Sequence, residues 1–136
     1  MYISLPDYHG LGTTRVHEDV APALNIMMHA GPTESGKPGN ARWTMFHKDD
    51  RETIRTFLRA QGHVADGRDP VHSQLYFFSD DLLAKLKADY NVVPFDFHQF
   101  QGQAVFVPVL TPHQVCSIFP FNTMFLALMC FCLGGQ

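Results

Sequence analysis

Two amphipathic helical segments interrupt a chain otherwise written in short extended runs, and this alternation limits the folds open to it. The first segment opens at Asp49, which can cap the free backbone amides, with Glu52 three residues on as its capping-box partner. Ile54, Phe57 and Leu58 then make one apolar stripe, and the segment ends near Gly62. The second opens at Ser79, with Asp80 and Asp81 at the positive end of the helix and Leu82, Leu83, Leu86 and Tyr90 on one face. Around them, Tyr2 to Leu5, Ala23 to Ala30, Ala41 to Phe46, Phe95 to Phe100 and Ala104 to Leu110 are β-compatible, and Pro112-His113-Gln114-Val115 leads into a last short strand. Gly31 to Asn40, with three Gly and two Pro, and the polar stretch from His63 to Gln74 read as loops. A mainly β chain with two inserted surface helices predicts an antiparallel barrel or sandwich, and 136 residues suffice for one domain with a real core.

Charge and cysteine usage narrow the partners. Ten basic against 13 acidic residues give a formal charge of -3, which provides no polyanion-binding surface, so direct nucleic-acid recognition is not expected. Cys116, Cys130 and Cys132 are odd in number and late in the chain, which fits a reducing compartment rather than a disulfide framework. Met1-Tyr2-Ile3-Ser4-Leu5-Pro6 has no basic start and no long apolar stretch, so no secretory leader is expected and the chain reads as soluble and intracellular. The apolar run Ile118 to Leu133 contains Pro120 and Asn122 and falls short of the roughly 20 residues that span a bilayer, so no membrane segment is expected.

The residues with the most chemistry are His17, Asp19 and His113. A two-His-one-carboxylate set holds a metal on one face and leaves other positions open. The local part is cheap, since eight His and 13 acidic residues make a His-x-Asp/Glu triplet expected about once by chance. His47-Lys48-Asp49 has the same form, but Asp49 already has a capping job, whereas Asp19 opens no helix. The competing reading of His17 is an exposed loop histidine. Glu18 is the rival carboxylate, yet adjacent side chains of an extended segment point to opposite faces, so His17 and Asp19 are the pair that can share an ion.

Three segments together resemble the JmjC domain, most closely the hairless-type lysine-demethylase branch also found in fungal proteins. They are Gly12-Thr13-Thr14-Arg15-Val16-His17-Glu18-Asp19-Val20 with Ala23-Leu24-Asn25-Ile26-Met27, then Asp69-Pro70-Val71-His72-Ser73-Gln74, then Gly102 to Pro108 with Pro112-His113-Gln114-Val115. The resemblance implies a double-stranded β-helix, a cupin-like or jelly-roll barrel, with His17, Asp19 and His113 holding Fe(II) as the catalytic centre. It implies 2-oxoglutarate and oxygen as cosubstrates and hydroxylation of N-methyl-lysine on a histone tail or other protein, which releases formaldehyde. Thr14 and Asn25 then become candidate contacts for 2-oxoglutarate. The cation for its distal carboxylate is open among Lys37, Arg15 and Arg42, of which Lys37 is the nearest lysine after the Asn25 strand. His72 could be a supporting group, Trp43 reads as core, and a nuclear location follows from the resemblance alone.

The match covers residues 1–117, read as a partial JmjC domain. Met1 corresponds to the middle of the family's domain, and residues 118–136, rich in Phe, Met, Leu and Cys, resemble nothing in it. The expectation is therefore an incomplete barrel with open sheet edges, prone to aggregation, in a truncated or mis-spliced product. The alternative function is a catalytically inactive JmjC or cupin-like interaction module. A metal-dependent enzyme of another cupin chemistry is a further possibility, because one barrel hosts many reactions.

Overall fold

The computed structural model describes residues 2–4, 14–33, 35–62, 67–118 and 124–130. Eight strands run β1 (Tyr2–Ser4), β2 (Thr14–His17), β3 (Ala23–His29), β4 (Asn40–Met45), β5 (Phe95–Phe100), β6 (Ala104–Val107), β7 (His113–Ile118) and β8 (Met124–Cys130). Helices α1 (Arg51–Ala60) and α2 (Asp80–Tyr90) lie between β4 and β5. The strands form two antiparallel four-stranded sheets, ordered β1-β8-β3-β6 and β2-β7-β4-β5. This is the mainly β, jelly-roll architecture with inserted helices that the sequence predicts, and the sheets do not close into a barrel among the described residues.

Alternation along the strands sorts side chains into two cores. Ala23 and Met27 of β3 meet Val105 and Val107 of β6, Ala41 and Trp43 of β4 and Val115 of β7, so the sheets face each other across one apolar layer. The opposite face of the second sheet is covered by the helices. There Val16 and Phe46 pack with Ile54, Phe57 and Leu58 of α1, Leu86 of α2, and Val71, Phe78 and Val92. Gln114, one residue out of phase with Val115, takes part in this second layer. Its carboxamide accepts from Phe78 N at 2.7 Å and donates to Phe78 O at 2.9 Å, pinning the chain between the helices to β7.

Several boundaries match expectation. Strand β5 spans Phe95–Phe100 as predicted, and Ser79 caps α2 by accepting from Leu82 N at 3.3 Å. Other expectations need correction. Asp49 does not cap the first helix, because the chain enters α1 through a 3-10 turn, Lys48–Asp50, and the residue with extended backbone just ahead of it is His47. The His47 Nδ1 accepts from Asp49 N at 3.3 Å, while Asp50, at the start of α1, makes no side-chain cap bond, and Glu52 pairs with Arg55 instead. Strand β6 stops at Val107, three residues early, where the chain turns toward the site. In the apolar run that follows β7, Met124–Cys130 is a strand lying between β1 and β3. A continuous apolar run carries no period that separates a buried strand from other structures, which is why pairing was not legible there.

Candidate metal centre

The end of β2 and the start of β7 are register partners, His17 opposite His113, and this pairing brings the two imidazoles together from far apart in the chain. Their ring centroids lie 4.2 Å apart. Asp19, two residues beyond His17 on the same face, completes the set. One ligating atom from each of the three residues lies within 4.8 Å of the others.

Hydrogen bonding fixes which nitrogen each ring presents. His17 Nδ1 lies 2.8 Å from Arg15 O and His113 Nδ1 lies 2.9 Å from Thr111 O. A carbonyl oxygen only accepts, so each Nδ1 carries the hydrogen and each Nε2 is left with its lone pair. These are the atoms that face Asp19, at 3.8 Å from His17 Nε2 and 3.9 Å from His113 Nε2. Those gaps exceed a hydrogen bond. Burial, followed by the nearby His17, pushes the His113 imidazole down to about 4, so it is neutral at physiological pH. Two imidazoles and a carboxylate, with their ligating atoms converging and their outer nitrogens tied to backbone carbonyls, fit a divalent metal ion in donor type and tautomer.

Supporting contacts hold each ligand segment. His113 is buried and stacks on Trp43, centroids 5.8 Å apart and planes 19° from parallel. Trp43 is core, as expected, but it also has a polar job: its Nε1 donates to Gln99 Oε1 at 2.9 Å. Gln99 in turn donates to Asn25 O at 3.1 Å and Gln103 O at 3.0 Å. Trp43→Phe is expected to lower stability by about 1–3 kcal/mol, because it leaves the buried Gln99 acceptor without its donor. A urea titration measures this, and a loss well below that range would show that the bond contributes little. Leu110 adopts a left-handed backbone (φ +57°), at a cost of about 1–2 kcal/mol for an L side chain. Its N–H donates to Asp19 O at 2.9 Å and so ties the turn before His113 to the segment bearing Asp19.

Glu18 points the other way, as the alternation requires. Its side chain is fully buried and accepts from Arg51 Nε at 3.0 Å and Nη2 at 2.9 Å, and from Arg55 Nη1 at 3.0 Å and Nη2 at 3.2 Å. Arg55 also donates to Asp69 Oδ2 at 2.6 Å, and Asp69 Oδ1 accepts from Val71 N and His72 N at 2.9 Å each. Sequence reasoning set Glu18 aside as a ligand and gave it no other work. Its signal was Arg51 and Arg55, one helical turn apart on an otherwise apolar flank of α1.

The remaining candidates fall in different places. Thr14 lies on β2 opposite Val115, and Asn25 is buried on β3, its Oδ1 3.4 Å from Gln99 Nε2. Lys37 is exposed in a loop, where its backbone closes on Thr33. Arg15 donates to Leu75 O, and Arg42 is bound by Asp96 and Asp80. Among the described residues Arg55 is the buried cation, and it is committed to Glu18 and Asp69. His72 is exposed, and His47 has Asp49 beside it but no third ligand among the described residues.

Residues 11–122 match the family described as JmjC domain, hydroxylase. The chain is 30% identical over 148 residues to lysine-specific demethylase 3A-A of Xenopus laevis, covering 84% of this chain and 11% of that protein. It is 30% identical over 149 residues to lysine-specific demethylase 3A of Homo sapiens, with the same coverage of 84% and 11%. Lysine-specific demethylase 3 of Drosophila melanogaster is 29% identical over 143 residues, which cover 79% of this chain and 17% of that protein. The chain thus spans a small part of the length of the curated relatives it matches.

Proposed function

Because the chain belongs to the JmjC domain family, we propose that it is the metal-binding core of an Fe(II)- and 2-oxoglutarate-dependent oxygenase acting on N-methyl-lysine of a protein, with a histone tail as the substrate class. The observation that carries the proposal is the convergence of His17 Nε2, His113 Nε2 and the Asp19 carboxylate, with both imidazoles held in the ligating tautomer. The demethylase names of the relatives support the substrate class. A nuclear location is proposed with it.

When bound, Fe(II) would let oxygen oxidise 2-oxoglutarate to succinate and CO2 and hydroxylate a methyl C–H bond, and the N-hydroxymethyl-lysine so formed would release formaldehyde. The chain's part is to hold and orient. His17, Asp19 and His113 are the proposed ligands, a three-residue set that would leave other positions on the ion for a chelating cosubstrate. Asn25 and Thr14 are the proposed polar contacts for 2-oxoglutarate, Asn25 with a buried carboxamide already held by Gln99. Lys37 is the proposed counter-ion for the distal carboxylate, where a fixed positive charge stabilises an anion.

Anaerobic titration of the chain with Fe(II) and 2-oxoglutarate tests the reading. A metal-to-ligand charge-transfer band, followed by succinate when oxygen is admitted, is the expected result. A folded chain that gives no band is an inactive module of the same fold. In the same assay Lys37→Glu should raise the 2-oxoglutarate concentration needed for half-maximal absorbance, and an unchanged value removes Lys37 from the site.

A further inference from the structure

The segment bearing two of the three proposed ligands is weakly held by its own sheet. Strand β2 pairs with β7 at Thr14 and at His17, but its register shifts between them, and the strand ends at His17. Beyond that point a backbone bond from Leu110 N reaches Asp19 O. The direction in which His17 and Asp19 project therefore depends on what holds the residue between them.

We propose that Glu18 is a positioning residue for the metal centre, clamped from behind by Arg51 and Arg55 of α1 so that His17 and Asp19 are presented together on the opposite face. The inference rests on the reading of His17, Asp19 and His113 as metal ligands. Four N–H groups from two guanidinium forks converge on one carboxylate at 2.9 to 3.2 Å. Such charge-assisted, two-pronged bonds fix orientation as well as position. Val16 is buried against the helices on the same side, so residues 16 and 18 dock the segment like two pegs, and alternation turns residues 17 and 19 toward the site. Through Arg55 the clamp continues to Asp69, whose carboxylate organises the turn at Val71 and His72. The same pairing keeps Glu18 from competing with Asp19 for an ion. Groups that orient metal ligands from behind typically change affinity by about 10- to 100-fold when removed.

Co(II) titration of the full chain, read by d–d absorption alongside thermal unfolding of the metal-free protein, tests this. The wild-type titration comes first: a folded chain that takes up no Co(II) removes the metal site and this role with it. If Co(II) binds, Glu18→Gln is expected to weaken it by about 10-fold or more and to shift the d–d band. Arg51→Ala, which alters a partly exposed residue and spares the buried Arg55, should weaken binding in the same direction by a smaller factor, and Arg51→Lys should recover part of it. A lowered unfolding temperature with unchanged affinity and an unchanged band in folded Glu18→Gln or Arg51→Ala would overturn the proposal and leave the cluster as a stabilising element alone.

Discussion

Asp19→Ala is expected to remove tight metal binding while leaving the fold almost untouched. Among the described residues the half-buried Asp19 side chain has no close partner beyond the two imidazoles 3.8 and 3.9 Å away, and the tie to Leu110 runs through its backbone carbonyl, which alanine keeps. The unfolding free energy of the metal-free chain should therefore move by no more than about 0.5 kcal/mol, the usual range for substitutions away from buried features. Affinity should fall by more than about 100-fold, since even partners that only orient a ligand account for about 10- to 100-fold. The contrast appears in one experiment. Metal at a hundred times its dissociation constant stabilises a binding-competent native state by about 2.7 kcal/mol, so wild type should gain that much in thermal unfolding and Asp19→Ala less than about 0.4 kcal/mol. Equal stabilisation of both chains would exclude Asp19 as a ligand.

Arg55→Ala should produce the largest loss of stability of any substitution in the Glu18 cluster, about 3–5 kcal/mol, the range for removing one partner of a buried ion pair. The Arg55 side chain is 5% exposed and bonds both Glu18 and Asp69. Its effect should depend on pH in a defined direction. Burial raises the Glu18 pKa, but the hydrogen bonds and charges of Arg51 and Arg55 outweigh it and hold the carboxyl below its ordinary value. For Asp69, too, burial raises the pKa, and the bonds from Arg55 and from His72 and Val71 N–H overcome it. Both folded values lie below the unfolded ones, about 4.3 for Glu and 3.9 for Asp. The stability these groups contribute is fully present above those unfolded values and is lost as pH falls through the folded ones. The difference between wild type and Arg55→Ala, measured by denaturant titration with chelator present, should shrink on going from pH 7 to below about pH 4. An equal difference at both ends would assign the effect of Arg55 to packing instead of charge.

What the sequence disclosed was governed by how local each cause is. Ser79 and the acidic residues after it define the start of α2 because an N-cap acts within one turn, and Phe95–Phe100 is bounded by Pro94 and the Gln101-Gly102 turn. His17 and Asp19 could be placed on one face by counting, and their meeting with His113 followed from a resemblance that supplies long-range order. His47 was set aside for the wrong local reason, since it is itself the cap, its Nδ1 accepting from the Asp49 N–H. The Arg51 and Arg55 forks on Glu18 were only half legible: two arginines one turn apart on an apolar flank call for an acid, but nothing in residues 16–20 says which helix will lie behind them. Likewise Met124–Cys130 shows itself as a strand only through its partners, β1 and β3.

The position of β8 has a further consequence, for the route by which the chain folds. Strand β8 lies between β1 and β3, both far from it in sequence, and among the described residues β2 pairs with the distant β7, so both sheets depend on joining segments well separated along the chain. The loop-closure entropy of such distant pairings is lost before their contacts are gained, which slows folding to about the millisecond-to-second range of β-rich chains. Helices α1 and α2, joined by local contacts, are free to form first. The three proposed ligands meet only when β2 and β7 zip together, so an ion added to the unfolded chain has no assembled site to seize, and its benefit falls on the lifetime of the native state.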